Sequence, residues 1–240
     1  MRMTSLSLLA AGLLALGACG GPGNQADIEE IKKSQKDILD KLASLEKSVK
    51  EAPRPAAPAR PQIDPNKVYD IPTGDSPVRG PRAAKVTITE FADYQCPFCA
   101  QSAPLIDEVL KAYPNDVNFV YKQFPLSSIH PQALPASKAT LAAAKQGKFW
   151  EMHDRVYKGF REISPTKLKE WAKEVGLDVA KWEADMNSPE VQAQVDKDMA
   201  VGRSSDVQGT PTFFVNGKRV MNRSVEGFKA MIDAELKAKS

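Results

Sequence analysis

Two cysteines three residues apart, Cys96 and Cys99, stand where a strand pattern gives way to a helix pattern. Upstream, Val86-Thr87-Ile88-Thr89-Glu90-Phe91 alternates and is rich in β-branched residues, which predicts a buried strand. Downstream, Leu105, Ile106, Val109 and Leu110 recur at helical spacing and predict a helix from Phe98 to Tyr113, with Pro97 suited to its first position. Cys96 is thereby placed at a helix N-cap, where a thiolate can accept a free N–H of Phe98 or Cys99 and meet the positive end of the helix dipole. A thiol so placed ionises readily and becomes a nucleophile for disulfide exchange. Half of a zinc site and a structural disulfide are the alternative uses of such a pair. The strand–Cys-Pro-Phe-Cys–helix context favours redox chemistry over both.

A second motif lies more than a hundred residues on, in Val207-Gln208-Gly209-Thr210-Pro211-Thr212-Phe213-Phe214-Val215-Asn216-Gly217-Lys218. Thr212 to Val215 reads as a short apolar strand, Asn216-Gly217 as a type I′ turn, and Lys218 to Met221 as the returning strand. A proline at the mouth of a strand removes a ladder donor and so needs a reason to be there. A cis Thr210–Pro211 bond facing the cysteines is one, because it turns the chain and offers the Thr210 backbone to an incoming substrate strand. A trans proline at a strand edge is the alternative.

Together, Cys96-Pro97-Phe98-Cys99, Gly209-Thr210-Pro211 and Gln146-Gly147-Lys148-Phe149-Trp150 resemble the thioredoxin superfamily, and within it the DsbA-like branch of exported thiol:disulfide oxidoreductases. The resemblance covers roughly Tyr69 to Ala238. It implies that Cys96 is the attacking thiol, Cys99 the buried resolving thiol and Pro211 the cis proline. It also places Glu90 where the family keeps a buried carboxylate beneath the cysteines, able to relay a proton to Cys99; a solvated strand residue is the alternative there. The only redox cofactor this implies is the Cys96–Cys99 disulfide itself, with no metal. The fold implied is α/β: a βαβ half, a helical insertion, then a ββα half.

The three cysteines and the first residues of the chain bear on where this chemistry takes place. Arg2 is followed by an apolar stretch from Leu6 to Leu16, too short to span a bilayer comfortably, which reads as the core of a signal peptide over 1–18. The segment Leu16-Gly17-Ala18-Cys19 resembles a bacterial lipobox, making Cys19 the lipidated first residue of the mature protein. A plain signal peptide cleaved after Ala18 is the competing reading. Either way the chain is expected to be exported to an oxidising compartment. Under the lipobox reading all three cysteines are assigned. By analogy with lipoprotein sorting, Gly20 directs the protein to the outer membrane, facing the periplasm.

Next, Ile28, Ile31, Ile38, Leu42, Leu45 and Val49 occupy a and d of one heptad register, with Gln35 in an a slot. So narrow an apolar stripe suits self-association, as a dimer or trimer, better than packing on a globular core; a lone surface helix is the alternative. Residues 52–65, rich in proline and alanine, read as a stiff polyproline-type spacer. The layout is a leader (1–18), a lipid anchor and coiled-coil stalk (19–51), the spacer (52–65) and a catalytic head (66–240) with a helical insert at about 130–206. Four helices are expected within that insert, over Ser137–Lys145, Phe149–Tyr157, Pro165–Val175 and Pro189–Gly202. Val117–Phe124 is expected to be an inner strand and Val225–Ala238 a closing helix.

The formal charge of +3 is no nucleic-acid footprint. His130 and His153 fall in the insert and read as surface or packing residues rather than metal ligands. Phe98, Phe124, Phe213 and Phe214 could build an apolar substrate surface, but a strand phenylalanine is more often core. The expected activity is formation or reshuffling of disulfides in exported cysteine-containing clients, with isomerisation favoured over plain oxidation and a membrane redox partner supplying or removing electrons. A non-catalytic envelope chaperone and Cu(I) capture by the thiol pair are the rivals.

Overall fold

The structure, a computed structural model, describes residues 23–51, 64 and 67–238. The expected leader, the lipidation site at Cys19 and nearly all of the proline-rich spacer lie outside the described residues. Contacts divide the chain into two units, 1–62 and 63–240. The first contains helix α1, Gly23–Glu51. Along it Ile28, Ile31, Ile38, Leu42 and Leu45 are all exposed, as is Leu39, which lies off the heptad stripe. A Lys32–Glu29 ion pair at 3.0 Å is typical of its polar face.

The second unit is built on a five-stranded sheet in the order β1-β3-β2-β4-β5, made of β1 (Val78–Arg79), β2 (Val86–Ala92), β3 (Val117–Gln123), β4 (Thr212–Val215) and β5 (Lys218–Arg219). Strands β2 and β3 are parallel, joined through helix α2 (Pro97–Ala112); the other pairings are antiparallel. Five helices follow β3: α3 (Ala133–Ala144), α4 (Phe149–Lys158), α5 (Pro165–Glu174), α6 (Val179–Met186) and α7 (Pro189–Ser204). Helix α8, Val225–Ala238, closes the chain and packs Phe228 and Ile232 into the core. The βαβ half, helical insert and ββα half are as expected.

Two differences from the sequence reading have local causes. Helix α6 is an unexpected fifth helix of the insert: it spans only eight residues, is capped by the Asp178 side chain, and buries Trp182, whose indole N–H reaches the Ala139 carbonyl at 2.8 Å. Strand β1, also unexpected, is two residues long and is held antiparallel to β3 at Val78↔Val120. Phe124, Phe213 and Phe214 are core residues, as strand phenylalanines are expected to be; of the four only Phe98 is exposed, at 64%.

Strand β2 is central and covered on both faces, so its side chains divide between two cores. Val86, Ile88 and Ala92 join the main cluster with Ile106 and Val109 of α2. Phe91 points the other way, into a smaller cluster with Tyr69, Phe124, Val207 and Phe214. Glu90 has the parity of Ile88 and Ala92 and therefore points to the α2 side. The insert is tied to the sheet by a buried polar knot. Lys122 Nζ lies 3.2 Å from Asp198 Oδ1 and 2.8 Å from Ser76 Oγ, while Asp198 Oδ2 accepts the Gln123 N–H at 3.0 Å. A buried ion pair of this kind is retained only with its remaining hydrogen bonds filled.

Candidate active site

The end of β2, the first turn of α2 and the loop before β4 converge on the two thiols. Strand β2 delivers the chain to Asp93, whose carboxylate Oδ1 accepts the Gln95 N–H at 2.7 Å and turns the backbone toward Cys96. Cys96 is the N-cap of α2 and Pro97 its first residue, which costs nothing because a first-turn N–H has no helical partner. The expected cap geometry differs in one respect: the Cys96 side chain makes no formal cap hydrogen bond. The N–H groups of Phe98 and Cys99 nonetheless face the sulfur and favour its charged form.

Cys96 is 4% exposed. Its thiol lies 3.4 Å from the carbonyl oxygen of Thr210, directly before the Thr210–Pro211 bond, which is cis. Asn216 and Gly217 both take positive φ, 47° and 80°, as the type I′ turn into β5 requires. The Thr210 hydroxyl is buried and has no protein hydrogen-bond partner, yet it faces Cys96. These facts fit together if the hydroxyl turns to donate to sulfur once the Cys96 proton has left. A hydrogen bond from the Cys99 thiol, aided by the Thr210 hydroxyl and the helix-end N–H groups, holds the Cys96 thiol down at about 5 against the pull of partial burial. Burial pushes the Cys99 thiol well above its ordinary value, and the Cys96 and Glu90 charges push the same way. The two thiols are therefore split, Cys96 toward the thiolate and Cys99 toward the protonated thiol.

Glu90 lies beneath them, 2% exposed, so the solvated-strand alternative does not hold. Burial drives its carboxyl up to about 8, with the Ser102 hydroxyl opposing at 3.1 Å from Oε1 and the Cys96 charge adding to the rise. A carboxyl titrating there can take and return a proton near neutral pH. Pro97 and Phe98 are exposed on the outer side. A groove beside Pro211 is lined by Phe98, Leu105, Phe213, Phe228 and Arg223, whose guanidinium donates to the Pro211 carbonyl at 3.2 Å.

The structure thus gathers Glu90, Cys96, Pro97, Phe98, Cys99, Thr210 and Pro211 in one place. It adds two residues that sequence reasoning passed over, Asp93 and Ser102, and gives His130 a partner. Asp93 Oδ2 accepts the Leu126 N–H at 2.8 Å and pairs with His130 Nδ1 at 2.9 Å, pinning the insert to the loop that carries Cys96. Ser102 bridges α2 and Glu90. The turn-forming Asp93 was legible in principle, but its His130 partner lies 37 residues away and carries no pattern. His153 is a packing residue: it is buried among Tyr94, Tyr121, Phe149, Trp150 and Tyr157, bonded to the Tyr94 hydroxyl at 3.0 Å, and kept neutral by burial.

Comparison with known proteins agrees with this geometry. The thioredoxin family model Thioredoxin_4 matches residues 72–234. A thioredoxin-like oxidoreductase from Silicibacter pomeroyi DSS-3 superposes with a TM-score of 0.61 at 30% identity, covering 71% of this chain and 96% of that one. Proteus mirabilis ScsC in a transitional conformation superposes with a TM-score of 0.60 over 94% of this chain and 99% of that one; at 20% identity this is a likeness of fold alone. Among curated proteins, the Na(+)/H(+) antiporter NhaA 3 of Salinispora tropica is 41% identical over 142 residues, 59% of this chain and 22% of the antiporter. The chain spans about a fifth of the length of the curated relatives it matches. Among the described residues no helix is long and apolar enough to cross a membrane. Family model, sheet order and thiol pair point the same way: the chain belongs to the thioredoxin family.

Proposed function

We propose that this chain exchanges disulfides with exported, cysteine-containing client proteins, and that reshuffling of wrong disulfides is its main task. The observation that carries the reading is the contrast between the two thiols at one helix start: Cys96 is ionised near neutral pH, and Cys99 is buried behind it and protonated. The Cys96 thiolate attacks one sulfur of a client disulfide; a Cys96–client bond forms and the other client sulfur leaves as a thiolate. If that thiolate attacks another client disulfide and the thiolate so freed attacks the Cys96–client bond, Cys96 leaves as a thiolate and the disulfides have moved with no net redox change. If instead Cys99 gives its proton to Glu90 and attacks the Cys96 sulfur, a Cys96–Cys99 disulfide forms and the client leaves as a dithiol. Run backwards, the same step oxidises a client. Phe98, exposed beside the sulfur, and the backbone at Thr210–Pro211 are the contact surfaces for the client chain.

Location and assembly belong to the same proposal. The lipobox ending in Cys19 anchors the protein by lipid in the cell envelope, at the outer membrane facing the periplasm. The exposed heptad stripe of α1 joins two or three copies, since Ile and Leu left in water favour a partner helix. A membrane redox partner resets the thiol pair, and no nucleic acid takes part. Several heads around one client raise the effective concentration of thiolates at misplaced disulfides, which favours isomerisation. A monomer-like disulfide oxidase is the second reading, favoured by the low midpoint of Cys96, because a stabilised thiolate makes the disulfide form a stronger oxidant. The test compares the full chain with a variant starting at Asp64. We expect the short form to be monomeric by light scattering, to oxidise dithiols as before, and to lose activity on a scrambled substrate. Equal reshuffling by both forms would refute the isomerase reading and leave the oxidase.

A further inference from the structure

Strand β2 is covered on both faces, and Glu90 is nearly fully buried. One side chain touches both this carboxyl and the outside. Ser102 lies one turn beyond Cys99 on α2; its Oγ is 3.1 Å from Glu90 Oε1 and 2.8 Å from the Cys99 carbonyl oxygen. The same residue lines the groove beside Pro211 with Phe98, Gln101, Leu105 and Arg223. We propose that Ser102 is a positioning residue for disulfide exchange: its hydroxyl passes the proton of Cys99 from Glu90 to water in the client groove, and turns between two acceptors as it does so.

The geometry gives the order of events. A serine hydroxyl has one hydrogen and cannot donate to both acceptors at once. With Glu90 protonated, the carboxyl donates to Ser102 Oγ and Ser102 donates to the Cys99 carbonyl. With Glu90 ionised, the Ser102 hydrogen turns to Oε1. When Cys99 attacks the mixed disulfide, its proton moves to Glu90, the Cys96–Cys99 bond forms and the client thiolate departs. The Ser102 hydrogen then swings off the Cys99 carbonyl to a groove water and passes to it as Glu90 hands its own proton to Ser102 Oγ, so one proton leaves Cys99 and one enters solvent. Other titratable groups facing Glu90 are Cys96 at the cap of α2, Cys99 on α2, Tyr121 on β3 and Tyr157 on α4. Burial raises both tyrosines far above neutral pH, so neither can serve as the exit. In the mixed disulfide Cys96 carries no charge, which removes its upward push on Glu90 and readies the carboxylate to accept.

This inference rests on the proposed role of Glu90, and the test separates the two. Mixed disulfides with a small peptide are formed in acid on the wild type, Ser102→Ala, Ser102→Thr and Glu90→Gln. A jump in pH then starts resolution by Cys99, while the Glu90 carboxyl carbon is titrated separately by NMR. Losing a hydrogen bond to a charged group should move the Glu90 midpoint of Ser102→Ala up by about one pH unit and slow resolution at neutral pH roughly tenfold. Ser102→Thr, which keeps the hydroxyl, should restore both. If Glu90→Gln abolishes the pH dependence of resolution while Ser102→Ala leaves midpoint and rate unchanged, the Ser102 inference is wrong and the role of Glu90 stands. A Glu90→Gln profile identical to wild type would overturn both.

Discussion

Replacing Glu90 by glutamine should make the protein more stable at neutral pH and no more stable in acid. A carboxyl held at about 8 in the fold, against 4.5 in the free chain, keeps its proton after the unfolded chain has lost its own. The native state thus loses nothing below pH 4.5, and its stability drains as the pH climbs to about 8. At 1.36 kcal/mol per unit, the deficit reaches roughly 3 kcal/mol at pH 7 and about 5 kcal/mol above pH 8, as upper bounds. Glutamine occupies nearly the same volume, can still meet the Ser102 hydroxyl, and never ionises. For a domain of this size 1 kcal/mol is worth about 2–4 °C in melting temperature. The reduced head of Glu90→Gln should therefore melt several degrees above wild type at pH 7–8, with the two curves converging near pH 4. Calorimetric melts across that range make the comparison. A variant less stable than wild type at neutral pH, or a difference independent of pH, would mean that Glu90 is a satisfied carboxylate and that the charge reasoning around the thiols is mistaken.

Three further outcomes follow from other contacts. In the wild-type dithiol, ultraviolet thiolate absorbance should rise with a midpoint near 5; in Cys99→Ala, which removes the chief donor to the sulfur, it should climb by about one to two units yet stay below the ordinary thiol value, and an unchanged midpoint would show that Cys99 donates nothing. Thr210→Val should keep the fold while shifting the equilibrium with glutathione roughly tenfold toward the protein disulfide, about 30 mV, because the thiolate loses a hydroxyl that faces it; no shift would put that hydroxyl out of reach of Cys96. Asp198→Ala strands the buried Lys122 ammonium and should cost about 3–5 kcal/mol in urea unfolding, much of it regained in the double variant Asp198→Leu with Lys122→Met.

Much of this site was legible because its parts are local. A β-branched run, Cys-Pro-Phe-Cys and a helical spacing sit within some thirty residues, and Gly209-Thr210-Pro211 before an Asn-Gly turn marks the loop that faces them. What escaped was set by distance and depth. His130 meets Asp93 only because the insert folds back over the end of β2. Lys122 and Gln123 are polar residues at the end of an expected inner strand; β3 is buried throughout, and the Lys122 ammonium and the Gln123 backbone N–H are met by Asp198 from α7. Ser102 sits among helix residues whose pattern speaks only of packing; its bond to Glu90 depends on the parity of β2 and the placement of α2. Strand β1 has two residues and α6 has eight, too short for any periodicity to declare them.

The central claim is that Cys96 alone is attacked or attacks, and that Cys99 only resolves. Mixing Cys99→Ala with an excess of a peptide disulfide and mapping the adducts by mass spectrometry tests it directly. The account predicts a stable peptide–Cys96 mixed disulfide, formed at a rate that is level near pH 8 and falls as the pH drops through the raised Cys96 midpoint of this variant, and no adduct on the reciprocal Cys96→Ala variant. An adduct that forms as readily on Cys99, or none on either thiol, would contradict it.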